Sequence, residues 1–204
     1  MEAKLLLIPW MASVLYSSIP LFWFVIHPFA GSWRRMGRSP YRLLLPTWAV
    51  LIFLLGWITW PGRAVPLYSA PWMWAPAAFL LLVGGSIYVR VGSSFGAHKL
   101  SGEAELRPAE HEQELVTTGL HSRMRHPIYV AHLVNLAGWT IGSGLIVSYV
   151  LLTISLLVTF PLMIQLEERE LEERFGSSYR EYQQRVPLLP GIFLRHARRS
   201  TREV

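Results

Sequence analysis

Long stretches without a Lys, Arg or Glu divide the chain: residues 5–33, 43–62, 64–89 and 127–166 carry none. A hydrocarbon core takes about 20 apolar residues of helix to cross, so each of the first three stretches predicts one span. The fourth is 40 residues long and predicts two, with Gly142-Ser143-Gly144 supplying turn chemistry for a tight hairpin. The expected fold is an all-α integral membrane protein of five transmembrane helices, over about residues 5–30, 43–61, 69–89, 127–141 and 145–166, in a single domain covering 1–204. Prolines within the spans (Pro9, Pro20, Pro46, Pro76 and Pro161) are compatible with a bundle, where packed neighbours re-satisfy the freed carbonyls. The apolar run of the first segment is far longer than the roughly 7 to 15 residues of a signal-peptide core, and it is expected to stay as a span.

Two segments leave this pattern. Residues 91–126 mix Gly, Ser, Glu and His without an apolar period and predict a long cytoplasmic connection. Between residues 167 and 186, Leu171, Phe175, Tyr179, Tyr182 and Val186 recur at helical spacing, one apolar stripe of an amphipathic helix. Glu170 with Arg174 and Glu181 with Arg185 form i,i+4 pairs opposite the stripe. This helix, with the tail to residue 204, is expected in the cytoplasm, along the membrane surface or closed over the bundle.

Orientation comes from the cations. Arg34, Arg35, Arg38 and Arg42 fill the first loop, five Lys or Arg lie between Arg90 and Arg125, and eight run from Arg169 onward; only Lys4 and Arg63 fall on the other face. Lys and Arg in short loops stay cytoplasmic, which puts the N-terminus outside and the C-terminus inside. Twelve of the 13 acidic residues, all of them Glu, share the cytoplasmic side. Any polar chemistry is expected there too. The net charge of +6 is accounted for by this topology, and no nucleic-acid partner is expected.

Composition narrows the chemistry further. Hydrophobic residues make up 52% and charged residues 16%, with a mean hydropathy of +0.33, which is unlike a soluble enzyme. The chain has no Cys and no Asp, so thiol nucleophiles, thiolate metal sites and aspartate-based mechanisms are excluded; no metal site is expected. Trp72-Met73-Trp74 suits an interfacial belt on the outer face, and Gly84-Gly85 suits close helix packing.

The candidate chemistry sits at the inner ends of the fourth and fifth spans, where Arg125-His126-Pro127-Ile128-Tyr129 and Glu167-Glu168 become neighbours in a hairpin. Pro127 suits the first turn of a helix, whose exposed amides, with Arg125 and His126, favour an anionic group. Glu167 and Glu168 favour a cationic one. A ligand bearing both a carboxylate and an ammonium, such as the methionyl part of S-adenosylmethionine, matches the two. A positive-inside anchor followed by a solvated acidic helix start accounts for the same charges.

Leu115-Val116-Thr117-Thr118-Gly119, then Arg125-His126-Pro127-Ile128-Tyr129, then Glu167-Glu168 with Leu171, Phe175-Gly176, Tyr179, Tyr182 and Val186-Pro187 resembles the isoprenylcysteine carboxyl methyltransferase family, over roughly residues 90–190. Related membrane phospholipid methyltransferases share the first three elements. The resemblance implies an S-adenosylmethionine-dependent enzyme whose cytoplasmic half holds the cofactor, closed by the C-terminal helix, with a lipophilic or lipid-modified acceptor entering from the bilayer. The implied cofactor pocket comprises Gln113, Leu115, Val116, Gly119, His121, His126, Tyr129, Glu167 and Glu168. In it His126 and nearby amides meet the methionyl carboxylate, a glutamate meets the ammonium, and Leu115 and Val116 meet the adenosyl group.

Arg125 and Glu167 are the expected catalytic residues, with Arg125, His132 and Met163 toward the acceptor. The family carries an arginine four residues before the glutamate pair, where this chain has Met163, and that exchange favours an uncharged or amine acceptor over a carboxylate. The other functions weighed are phospholipid N-methylation, reduction with NADPH in the manner of membrane sterol reductases, and a non-catalytic membrane protein. The glutamate pair opposes a phosphorylated cofactor.

Overall fold

The computed structural model describes residues 6–35, 41–100, 106 and 114–189, with side chains left undescribed for 94–100. Among the described residues the regular secondary structure is all helical, with one isolated bridge between Pro66 and Leu145. In order come α1 (Leu7–Ile26), α2 (Ala30–Arg35), α3 (Tyr41–Thr59), α4 (Trp74–Leu100), α5 (Pro127–Ser143), α6 (Ile146–Ile154), α7 (Phe160–Phe175) and α8 (Ser177–Arg185). A single π-helical turn, Ser155–Thr159, joins α6 to α7.

Four helical stretches are long and apolar enough to cross a membrane: Leu7–Arg35, Tyr41–Gly62, Pro71–Ser93 and Ile146–Phe175. The remaining predicted span corresponds to α5, whose 17 residues stand at the lower limit of the roughly 17 to 25 that a crossing takes. Phe53, Trp57, Ile58, Phe79, Leu82 and Leu157 turn outward with two-thirds or more of their surface exposed. Such a surface would associate in water and is the normal one facing lipid.

Inside the bundle, small and hydroxylated residues set the helix contacts. A Cβ on Gly84 of α4 would run into the side chain of Asn135 of α5, and one on Gly142 into the ring of Trp74, so these two helices approach closely because those positions lack side chains. Gly85, the other half of the expected packing pair, faces open space. Ser13 of α1 donates to Ser148 Oγ of α6 at 2.9 Å, a polar pairing suited to a lipid-surrounded interface.

The predicted hairpin is present. Gly144 caps α5 with φ +66°, its amide bonded to Thr140 O at 2.9 Å, and the residues that follow return as α6. Leu67 N–H donates to Gly144 O at 2.8 Å and Ile146 N–H to Val65 O at 3.1 Å, which ties the α3–α4 loop to this turn.

Two boundaries differ from the sequence expectation. α4 continues to Leu100, so residues 91–100 of the expected connection extend the helix. The amphipathic helix expected without a break from residue 167 to 186 is instead the end of α7 and all of α8, divided at Gly176 (φ +57°, ψ −124°). That backbone conformation suits glycine, and the turn lets one sequence stripe fold back on itself. Leu171 and Phe175 of α7 then pack against Tyr179, Tyr182 and Val186. The pair Glu170–Arg174 forms at 3.0 Å, whereas Arg185 Nε donates to the carbonyl of Glu181 at 3.3 Å.

Candidate functional site

His126 is the residue on which the site converges. It is the N-cap of α5, with Pro127 in the first turn, and it is 4% exposed. Its Nδ1 lies 3.2 Å from Glu167 Oε2 and its Nε2 3.1 Å from Glu168 Oε1. Adjacent helical positions diverge by about 100°; the two glutamates nonetheless reach one imidazole because it sits between them. Tyr129, one turn on, stacks parallel to His126 at 5.3 Å and 4°. Burial pulls the His126 pKa down, but the carboxylates of Glu167 and Glu168 outweigh it and hold it up at about 9, so the ring is a cation, its Nε2 hydrogen-bonded to Glu168 and its Nδ1 in ion-pair range of Glu167.

Arg125 closes the other side. Its Nε is 2.7 Å from Glu168 Oε1, and its Nη1 donates to Gln183 O at 3.2 Å and Val186 O at 2.9 Å. The Arg125 amide donates to Pro187 O at 3.0 Å. Carbonyls in the last turn of a helix have no partner within it, and here the guanidinium supplies one. Glu168 also accepts from Tyr179 Oη and Gln183 Nε2, each at 3.4 Å. The expected acceptor ligand Arg125 is thus engaged in fastening α8 to the base of α5.

The segment from 115 to 122 lies against α8. Leu115 packs on the Tyr179–Tyr182–Val186 cluster, Val116 is half-buried, and Gly119 opens a 3-10 turn ending at Ser122. Within that turn His121 is buried, and its carbonyl accepts from Tyr182 Oη at 2.6 Å. Burial, and then the positive charge of His126, push the His121 pKa down to about 4 against the pull of Glu167, so His121 is neutral beside a charged His126. Gln113 lies outside the described residues.

Met163 and His132 occupy the deeper layer. Met163 is completely buried in an apolar cluster with Tyr129, Phe160 and Ile164, against which Trp23 packs. His132 lies six residues beyond His126 on α5, its ring edge-to-face with Tyr129 at 6.3 Å and with Phe160 at 6.2 Å. Neither touches the ion cluster directly; Tyr129 stands between His126 and His132.

Three participants were missed from the sequence. His27, stacked on Trp23 at 5.0 Å and 14°, is close enough to act electrostatically on Glu167. Its signal was available, since His27-Pro28 repeats the His126-Pro127 pair at the inner end of another span. Tyr179, a stripe position in the sequence, and Gln183, which no sequence pattern marks, both reach Glu168. Nearby, buried Glu170 pairs with both Arg34 and Arg174, which couples α2 to α7.

Residues 72–178 match the family model described as phospholipid methyltransferase. The chain belongs to the phospholipid methyltransferase family. The matched region holds α4 to the start of α8 and, with them, Arg125, His126, Glu167 and Glu168, while His27, Tyr179 and Gln183 lie outside it. Among curated proteins the chain is 28% identical over 120 residues to protein-S-isoprenylcysteine O-methyltransferase B of Arabidopsis thaliana, covering 57% of this chain and 58% of that one. It is 34% identical over 102 residues to protein-S-isoprenylcysteine O-methyltransferase of Schizosaccharomyces pombe, covering 50% and 41%. It is 29% identical over 164 residues to methanethiol S-methyltransferase 1 of Bradyrhizobium diazoefficiens, covering 74% and 53%. The chain therefore spans about half the length of these relatives. No solved structure matches it.

Proposed function

We propose that the protein is an S-adenosylmethionine-dependent membrane methyltransferase that acts on a lipophilic acceptor. The observation that carries this is His126 held between Glu167 and Glu168 at the start of α5, within the region that belongs to the phospholipid methyltransferase family.

The donor set fits the ligand. Each ionised carboxylate offers about four lone-pair sites, so Glu167 and Glu168 retain capacity for an ammonium beside their contacts to His126. The methionyl carboxylate suits His126⁺ and the first free amides of α5. Leu115, packed against α8, and the half-buried Val116 beside it suit the adenosyl group. A phosphorylated nicotinamide fits poorly, because two carboxylates face the site and the guanidinium of Arg125 is already spent on Glu168 and two carbonyls.

When bound, S-adenosylmethionine supplies an electrophilic methyl group on a sulfonium. The chain's own work is then to position the partners and exclude water. α8 covers the site, locked by Arg125 and by Tyr182 on the His121 carbonyl, while the deeper wall of Tyr129, Phe160 and Met163 is apolar and suits a substrate arriving from lipid. Arg125 is best read as a positioning residue for this lid, and Glu167 as a ligand to the cofactor ammonium. We place α5 as a fifth span in a single domain, with the N-terminus outside and the site, α8 and the C-terminus cytoplasmic; the cation distribution supports that orientation.

The test is transfer of an isotopically labelled methyl group from S-adenosylmethionine into organic-extractable products in membranes carrying the protein. Label above that of membranes with Glu167→Gln is expected; equal label in the two contradicts the proposal.

A further inference from the structure

His132 is a buried imidazole inside the bundle that the cofactor site does not use. At about 1.5 Å per residue, six residues along α5 place it roughly 9 Å deeper than His126. Its Nδ1 lies 2.7 Å from the carbonyl of Ile128 and 2.7 Å from Tyr88 Oη. A carbonyl only accepts, so Nδ1 carries the hydrogen. The Tyr88 hydroxyl shares that hydrogen as an acceptor. In the neutral ring the lone pair is therefore on Nε2, and no described group hydrogen-bonds Nε2. Tyr16, Tyr129 and Phe160 surround the ring edge-to-face, and the last two also wall in Met163. A base held in one tautomer by a third group, with its other nitrogen free in an apolar surround, is the arrangement that activates a nucleophile.

The surroundings also choose among acceptors. A carboxylate or an ammonium would reach this depth charged, at high desolvation cost, and among the described residues the side chains packed on this layer supply no charge to hold either: Met163 is apolar and Arg125 is engaged elsewhere. A carboxylate, besides, needs no base. A thiol enters from lipid uncharged and has a proton to lose; even a cysteine thiol, with its pKa near 8.5, leaves little thiolate at neutral pH, and an alkanethiol is a weaker acid still.

We propose that the acceptor is a lipophilic thiol and that His132 is its general base. This rests on the methyltransferase function proposed above. The thiol proton passes to His132 Nε2 as the new sulfur–carbon bond forms. The sulfonium–methyl bond breaks with its electron pair remaining on the departing thioether, and His132 returns the proton to solvent.

The experiment uses the full chain in nanodiscs with dodecanethiol, dodecylamine and laurate as probes, each with S-adenosylmethionine, and product read by mass spectrometry. Methylation of dodecanethiol in preference to the other two is expected. His132→Gln should lower kcat/KM for the thiol by about 10²-fold at neutral pH, with the deficit shrinking as pH rises and the thiol ionises unaided. Calorimetric affinity for S-adenosylhomocysteine should be unchanged. A long-chain alkyl thiophenol should show thiolate absorbance with wild type plus S-adenosylhomocysteine and not with His132→Gln. Tyr88→Phe, which keeps the ring and loosens only the tautomer lock, should lower kcat several-fold at constant KM. Preference for amine or carboxylate, or full thiol activity in both variants, overturns the proposal for His132 while leaving the methyltransferase function intact. Failure of wild type to bind S-adenosylhomocysteine overturns that function itself.

Discussion

Arg125 Nε and Glu168 Oε1 meet at 2.7 Å, and through that contact the residue before the N-cap of α5 grips the middle of α7 and the end of α8 together. Both partners are largely shielded, at 11% and 19% exposure, and the same guanidinium satisfies two carbonyls that α8 leaves unpaired.

Removing the arginine should free the lid. Arg125→Ala is expected to cost about 3 kcal/mol, since breaking a shielded pair strands its partner. Proteolysis should then begin near residues 183–189. Arg125→Lys should recover only part of the loss, because an ammonium lacks the fork that serves a carboxylate and two carbonyls at once. Limited proteolysis followed by mass spectrometry reads the difference, and an unchanged cleavage pattern in Arg125→Ala would remove the clamp.

The charge on His126 predicts a pH dependence. Its folded-state pKa lies at about 9 against 6.5 ordinarily, so its stabilising contribution is complete below about 6.5 and is lost as the pH rises through 9. Thermal unfolding in detergent between pH 6 and 10 should show the midpoint falling across that window. The fall should be shallower in His126→Gln; an equal fall would mean that another group titrates.

Glu167→Gln and His126→Ala should each weaken S-adenosylhomocysteine binding by tenfold or more, as expected for loss of a charge-assisted contact, while the protein remains folded by circular dichroism. Unchanged affinity in both would move the cofactor away from this cluster.

Met163 tests the deep wall. Met163→Leu conserves volume and should change stability by less than about 1.5 kcal/mol. Met163→Arg forces a cation into a fully buried apolar cluster and should lower the unfolding midpoint markedly. An arginine tolerated there without loss would show that the cluster opens onto solvent or an anionic partner.

Much of this was legible in the sequence, for physical reasons. Charge-free stretches mark apolar helices, so four helices long enough to cross a membrane and the Gly142-Ser143-Gly144 hairpin could be read directly, as could the meeting of Arg125-His126 with Glu167-Glu168. What the cluster does internally was not readable: that His126 bridges two adjacent glutamates, or that Arg125 turns to the carbonyls of α8, depends on tertiary placement. The stripe from Leu171 to Val186 hid the break at Gly176, because the glycine falls between stripe positions and leaves the period intact; phenylalanine-glycine at a helix end was the overlooked stop signal. His27 falls inside a charge-free stretch, which by itself marks no site, yet the first helix gives way to a 3-10 turn at that residue and brings it to Glu167 from 140 positions away.

Calorimetric titration of the detergent-solubilised protein with S-adenosylhomocysteine, beside an identical titration with NADPH, tests the cofactor assignment most directly. Saturable binding of S-adenosylhomocysteine and none of NADPH is the predicted result. Binding of NADPH alone, or of neither ligand to folded protein, would contradict it.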